Sequence, residues 1–236
     1  MAKVKKIKSV LDFVRWMSSC PEADMYRGEL NAEWLLLPSI VRYAQKVDGY
    51  DDILGLEEHL ILEFEKFSVP FNDCTNLPYI QKLVHAQHYG VPTRLLDWTS
   101  NPLKALYFAV ENPDLDKFCG IVHVVQHAFW CEGTKHVGLD KMLDAFYPEI
   151  LNERISAQDG CFISFPLSKG VRKIKPLNKV NYPKEIQGYD FVIIEAKSKR
   201  EIRRELSKLG ISHRTIYPGL EGVGKWTKSK LADFLV

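Results

Sequence analysis

AQHYGVPTRLLDWTSNPLKALYFAV, residues 86–110, sets a helix end, an extended piece and a second helix one after another. A helix predicted over 79–89 stops at Gly90, because glycine readily takes the left-handed backbone that follows a last turn. Pro92 opens the extended piece TRLLDW, since proline lacks the N–H a helix interior needs. There Thr93, Leu95 and Asp97 share one face, and Arg94, Leu96 and Trp98 the other. Thr99 or Ser100 is then placed to cap a helix running from Pro102 to about Val110. Leu103, Leu106, Tyr107 and Val110 recur at helical spacing and are expected in the core. The polar groups around Leu95 and Leu96 are too many for a plain core strand, so this stretch is expected to line a site.

Upstream, DILGLEEHLILEFEKF (52–67) reads as a helix with Leu56, Leu60, Phe64 and Phe67 on one face. Residues 9–20 suggest a short amphipathic helix through Val10, Phe13, Val14 and Met17. MYRGEL (25–30) suits a strand end, and a helix can begin after Pro38. Downstream, GIVHVVQ (120–126), CFISF (161–165) and FVIIEA (191–196) have strand character. A helix is expected within 133–152, another over 199–209, and a turn at PGLEG (218–222). With no internal repeat and no clear linker, the mixture points to one α+β domain. Residues 1–24 form a helical lead-in to the domain of residues 25–236.

The 236 residues are 46% hydrophobic, enough to bury a core. Thirty-two basic and 30 acidic residues leave a net charge of +2, which gives no general nucleic-acid footprint. Six lysines and arginines between 169 and 184, with no acid among them, form a solvated face or a phosphate-facing surface. The five cysteines are widely spaced, with no CxxC pair, so neither a disulfide scaffold nor a zinc ribbon is expected. His123, His127 and Cys131 are too far apart along a strand to share a metal. No stretch is long and apolar enough for a membrane span or a secretion signal, so a soluble cytoplasmic protein is expected, with no membrane partner. GxGxxG, P-loop and nucleophile-elbow motifs are absent.

Four segments together resemble the FRG-domain family, named for an aromatic-Arg-Gly motif. They are YRG (26–28), residues 86–110, RISAQDGCF (154–162) and LGISHRTIYPGLEG (209–222), and the resemblance runs from about 25 to 224. The motif order is also similar, more weakly, to the ADP-ribosyltransferase superfamily. There, an Arg on the first core strand precedes a Ser/Thr-rich strand and a helix with a buried aromatic. That resemblance implies a split or strongly bent mixed sheet around a cleft, flanked by the helices at 52–67, 79–89 and 102–110. It implies NAD as the nucleotide ligand, and a protein, nucleic acid or small molecule as the acceptor. A toxin or phage-defence role would fit the family.

Arg27 is the leading candidate: its planar, always charged fork matches phosphate oxygens. The alternative is a structural arginine paired to an acid such as Asp97. Gly28 lets a ligand or a strand approach the backbone. Arg94 is a second phosphate candidate. His88 suits a ribose or phosphate, or caps carbonyls. Tyr89 suits ring stacking or core, and Phe108 floors a pocket or joins the core. Asp97 binds a ribose hydroxyl or locks Arg27. Trp98 and Thr99 belong to the same lining, Thr99 with a hydroxyl for the ligand or for a cap. Gln158 suits a ligand amide or a water. The ADP-ribosyltransferase pattern requires a late acid to steady the developing cation, and Glu221, Asp159 and Glu195 are candidates in that order. The rival function is a non-catalytic module that binds a phosphorylated nucleotide or nucleic acid.

Overall fold

The computed structural model describes residues 5–20, 22–44, 46–71, 74–134, 137, 142–149 and 153–233. The strands are β1 (Lys6–Ile7), β2 (Met25–Glu29), β3 (Leu95–Thr99), β4 (Gly120–His127), β5 (Trp130–Cys131), β6 (Asp144–Phe146), β7 (Gly160–Ser164) and β8 (Ile186–Ile194). The helices are α1 (Val10–Met17), α2 (Ser39–Ala44), α3 (Ile53–Ser68), α4 (Tyr79–His88), α5 (Pro102–Phe108), α6 (Glu153–Ala157), α7 (Lys199–Lys208), α8 (His213–Ile216) and α9 (Leu220–Ser229).

The strands form one mixed sheet in the order β1-β8-β4-β2-β3-β7-β6-β5. The inner pairs are antiparallel, and among the described residues parallel pairs occur only at the two edges, β1 on β8 and β5 on β6. The sheet is not closed. Its weak point is central. β2 keeps five paired positions with β4, and β3 keeps five with β7, but β2 and β3 share only Tyr26 with Thr99. Beyond that pair the two halves part.

Helices cover one face in two groups. Over the β8-β4-β2 half, Phe13 and Trp16 of α1, Leu106 of α5 and Ile202 and Leu206 of α7 pack on Val122, Val124 and Val192. Over the β3-β7-β6 half, Ile61 of α3 and Leu83 and Val84 of α4 pack on Leu95, Phe162 and Phe146. Met25, Leu96, Trp98 and Ile163 face the other way, into a core shared with Leu36 and Leu177. Alternation along β3 therefore follows the two faces expected from TRLLDW.

Several boundaries differ from the sequence expectation. Asn101, not Thr99 or Ser100, caps α5 by accepting from the N–H groups of Leu103 and Lys104. Thr99 still belongs to the strand. In α1 the buried set is Val10, Phe13 and Trp16, while Val14 is exposed, so the inward face is rotated toward Trp16. The expected turn at PGLEG is the start of α9, with Gly219 at φ 79° as its N-cap. Within 133–152 the described residues hold the strand Asp144–Phe146, and the remainder of the helix expected there lies largely outside the described residues. No helix among the described residues is long and apolar enough to cross a membrane.

Candidate ligand-binding cleft

Between the two helical groups, where β2 and β3 part, lies a cleft of about 330 Å³. That is at the lower end of the roughly 300–1,000 Å³ typical of ligand sites. Tyr26, Gly28, Thr99 and Phe162 line its floor. Gln87 and His88 of α4 form one wall, and Phe108, Glu111 and Tyr217 form another. Arg154 and Gln158, from α6 and the residue after it, close a third side.

Arg27 fills the opening in the sheet. Its Nε donates to Glu29 Oε1 at 2.8 Å, and Nη1 donates to the backbone carbonyl of Asp97. That carbonyl belongs to the stretch where β3 has lost β2 as a partner, so the guanidinium supplies the donor the ladder does not. The Asp97 carboxylate is farther, 3.8 Å from Nη1. A guanidinium carries five N–H groups. Nη2 has no partner among the described residues, and the Arg27 side chain, 19% exposed, lines the cleft.

Gly28 is required by packing. A Cβ there would sit 1.9 Å from Ala105 O and 2.7 Å from Ala109 N. The element that approaches its backbone is therefore helix α5, rather than the ligand or strand expected from sequence. This contact sets the end of α5, and hence Glu111, against the end of β2.

Asp97 accepts from Gln87 Nε2 at 2.8 Å, and Gln87 accepts in turn from Thr93 Oγ1. This chain fixes the α4 wall to β3. Thr99 Oγ1 donates to Gln158 O at 2.7 Å and accepts from Asn101 N at 3.1 Å. Its hydroxyl proton is thus committed to holding the wall. Gln158 Nε2 donates to Ile216 O at 3.3 Å, leaving its side-chain oxygen to the cleft. His88 lines the cleft, and burial, aided by Arg154, pushes its pKa below the ordinary value. Trp98 is 4% exposed and belongs mainly to the core, touching the cleft from behind. Phe108 is half-buried and forms part of the lining.

Five candidates lie elsewhere. Arg94 is buried against Glu57: Nη2 stands 2.5 Å and Nε 2.6 Å from Glu57 Oε2, and the Arg94 backbone N–H donates to Oε1 at 2.6 Å. It lies just before β3, where the buried Glu57 carboxylate of α3 holds it. Tyr89 is 64% exposed and packs edge-on to His85 and His88. Asp159, at φ 47°, pairs with Lys104 at 2.6 Å and accepts from Asn101 Nδ2 at 3.1 Å, so it ties its turn to α5. Glu221 pairs with Lys225 at 2.7 Å on exposed α9, and that hydrogen bond holds its carboxyl below the usual range. Glu195, the third acid candidate, lies near Lys8 and Lys197.

The carboxylates that do line the cleft are Glu29, Asp97 and Glu111. Glu111 accepts from Tyr217 Oη at 2.7 Å, and burial pushes its carboxyl upward despite that bond and the nearby Lys225 and Arg154. Sequence reasoning missed Glu111, Trp34 and Tyr217. Glu111 sits just after a helix whose end was legible, but its partner is 106 residues away.

Fold and cleft define an α+β protein whose mixed sheet opens onto a ligand-sized cavity. Residues 22–117 match the family model of the FRG domain. No curated protein and no solved structure matches the chain. The matched segment contributes Arg27, His88, Asp97, Thr99, Phe108 and Glu111, while Arg154, Gln158 and Tyr217 come from beyond residue 117.

Proposed function

We propose that the cleft binds a nucleotide through its phosphates, and that the protein is an NAD-dependent ADP-ribosyltransferase or, with water as acceptor, an NAD glycohydrolase. The observation behind this reading is that one cavity holds an arginine with N–H groups to spare and a buried carboxyl of raised pKa. Arg27 Nη2 suits a pyrophosphate oxygen, and Arg154 offers a second cation across the cleft. Trp34, Phe108 and Tyr217 offer ring faces to a base or a nicotinamide.

Glu111, in place of a late acid, is the general base. Ionised, it accepts the proton of the attacking water or acceptor hydroxyl. The bond from ribose C1′ to nicotinamide breaks, and nicotinamide leaves with the electron pair. A carboxyl whose pKa burial raises is a better base for that proton than an exposed one. Tyr217 holds Glu111 in place by its hydrogen bond. His88, kept neutral by burial, can donate to or accept from a ribose hydroxyl.

The test is nicotinamide release from NAD by the purified protein, with and without cell extract. Glu111→Gln keeps an oxygen for Tyr217 and should lower turnover about 10²–10⁴-fold, with ADP-ribose binding retained. Arg27→Lys keeps the charge but loses the fork, and should weaken ADP-ribose binding roughly ten- to a hundredfold. A second reading, a non-catalytic module for phosphorylated ligands, draws on the two arginines, which serve binding without any carboxyl. Arg27-dependent ADP-ribose binding without nicotinamide release would favour it. Absence of both from folded protein would sink both readings.

A further inference from the structure

Behind the wall that carries Glu111 lies a second concavity, between α7, α8 and α9. It consists of two adjoining hollows of about 130 and 370 Å³ that share Glu111, Pro113, His213 and Ser229. Arg200, Arg203, Arg204, Lys225, Lys228 and Lys230 line it, against the acids Glu111 and Asp114. The charge is local. Residues 199–233 hold nine lysines and arginines against four acids, so the rest of the chain is net negative although the whole is +2.

Some of these cations are engaged. Arg203 is held by Asp116 at 2.5 Å, and Lys225 by Glu221 at 2.7 Å. The Arg204–Glu201 pair is exposed at 3.5 Å, the kind of contact that contributes little. Lys228 and Lys230 have no ion-pair partner among the described residues, and both are exposed. Trp226 is half-buried and lines the same hollow, with Arg214 and Lys230 against its ring at 5.2 and 5.0 Å.

We propose that this groove binds a single-stranded nucleic acid. Spaced cations beside a partly exposed indole match what a strand offers: phosphates at regular intervals and bases with stackable faces. An acidic protein segment would use the cations but leave the indole without a matching ring. The proposal stands independently of the chemistry assigned to the cleft. It adds that a bound strand lies against the wall formed by Glu111 and by Tyr217, whose ring carries Lys225 Nζ at 3.7 Å.

Fluorescence anisotropy of a labelled single-stranded oligothymidine with the full chain tests this. Binding is expected at about 50 mM salt and should weaken steeply by about 200 mM. The exposed double variant Lys228→Glu/Lys230→Glu should bind at least tenfold more weakly, with the slope of log K against log salt reduced by about 1.4, or roughly 0.7 per lost phosphate contact. Trp226→Ala should lose severalfold in affinity with the slope unchanged. Absence of binding at low salt, or equal binding by the double variant, would overturn the proposal. So would displacement of the oligonucleotide by polyglutamate of matched charge as readily as by unlabelled strand, which would assign the groove to acidic proteins.

Discussion

His123 shows how a single buried side chain links the site to stability. It faces Arg27 across the β2–β4 ladder and shares a 2.7 Å hydrogen bond with Tyr189 Oη through Nδ1. Its Nε2 has no partner among the described residues. Burial, reinforced by Arg27, lowers its pKa from 6.5 to about 3. The unfolded chain therefore takes up a proton near pH 6.5 that the folded chain refuses until about pH 3. Stability is complete above the unfolded value and is lost as pH falls below it, by up to about 1.4 kcal/mol per pH unit. His123→Gln keeps an acceptor for Tyr189 and cannot titrate. Urea denaturation at about pH 6 and pH 4 should then show a shallower loss in the variant, by up to about 1.4 kcal/mol per unit. Equal slopes would mean that His123 does not remain neutral in the fold. The neighbouring strand was legible in part: YRG announced Arg27 and Gly28, but not that Gly28 makes room for α5.

At the scale of elements, α3 is fixed by a charge rather than by its apolar stripe alone. The spacing of Leu56, Leu60, Phe64 and Phe67 suggested one inward face, yet Phe67 is 64% exposed and Glu57 fully buried. The helix is turned so that Glu57 reaches Arg94, the residue just before β3. Tyr79 Oη donates to the same carboxylate at 3.3 Å. Glu57→Ala leaves the Arg94 charge buried and should cost about 3–5 kcal/mol in chemical denaturation. A cost below about 1 kcal/mol would fit an exposed pair and contradict this account. Helices with strong local signals, α3, α4, α5 and α7, were readable from period, proline and glycine. The short α8 was not, because four residues give no measurable period.

For the whole molecule, the described part of the lead-in, residues 5–20 and 22–24, is part of the fold. β1 pairs with β8 and covers the edge of the sheet, while Ile7, Val10, Phe13 and Trp16 join the α5–α7 core. Burying an apolar side chain of this size contributes about 1.5–3 kcal/mol. Four such losses rival the entire stability of a typical domain, about 5–15 kcal/mol. A chain lacking residues 1–17 should therefore lose cooperative thermal unfolding and aggregate through the bared β8 edge. An unchanged circular-dichroism melt would make the lead-in separable.

The sequence by itself determined the α+β class and most element positions, and it named Arg27, His88, Asp97, Thr99 and Phe108, which the fold brings to one cleft. These rest on information held within a few residues: apolar period, turn glycines, prolines and a motif. Only the tertiary structure decided where the sheet parts, that Arg94 is turned inward to Glu57, and that Glu111 rather than Glu221 or Asp159 faces the cleft. Each of those outcomes depends on a partner far along the chain, such as Tyr217 for Glu111. A carboxylate on its own looks the same in sequence whether it ends in water, against a lysine, or in a cavity. Burial and partners distinguish these cases, and only the folded chain supplies them.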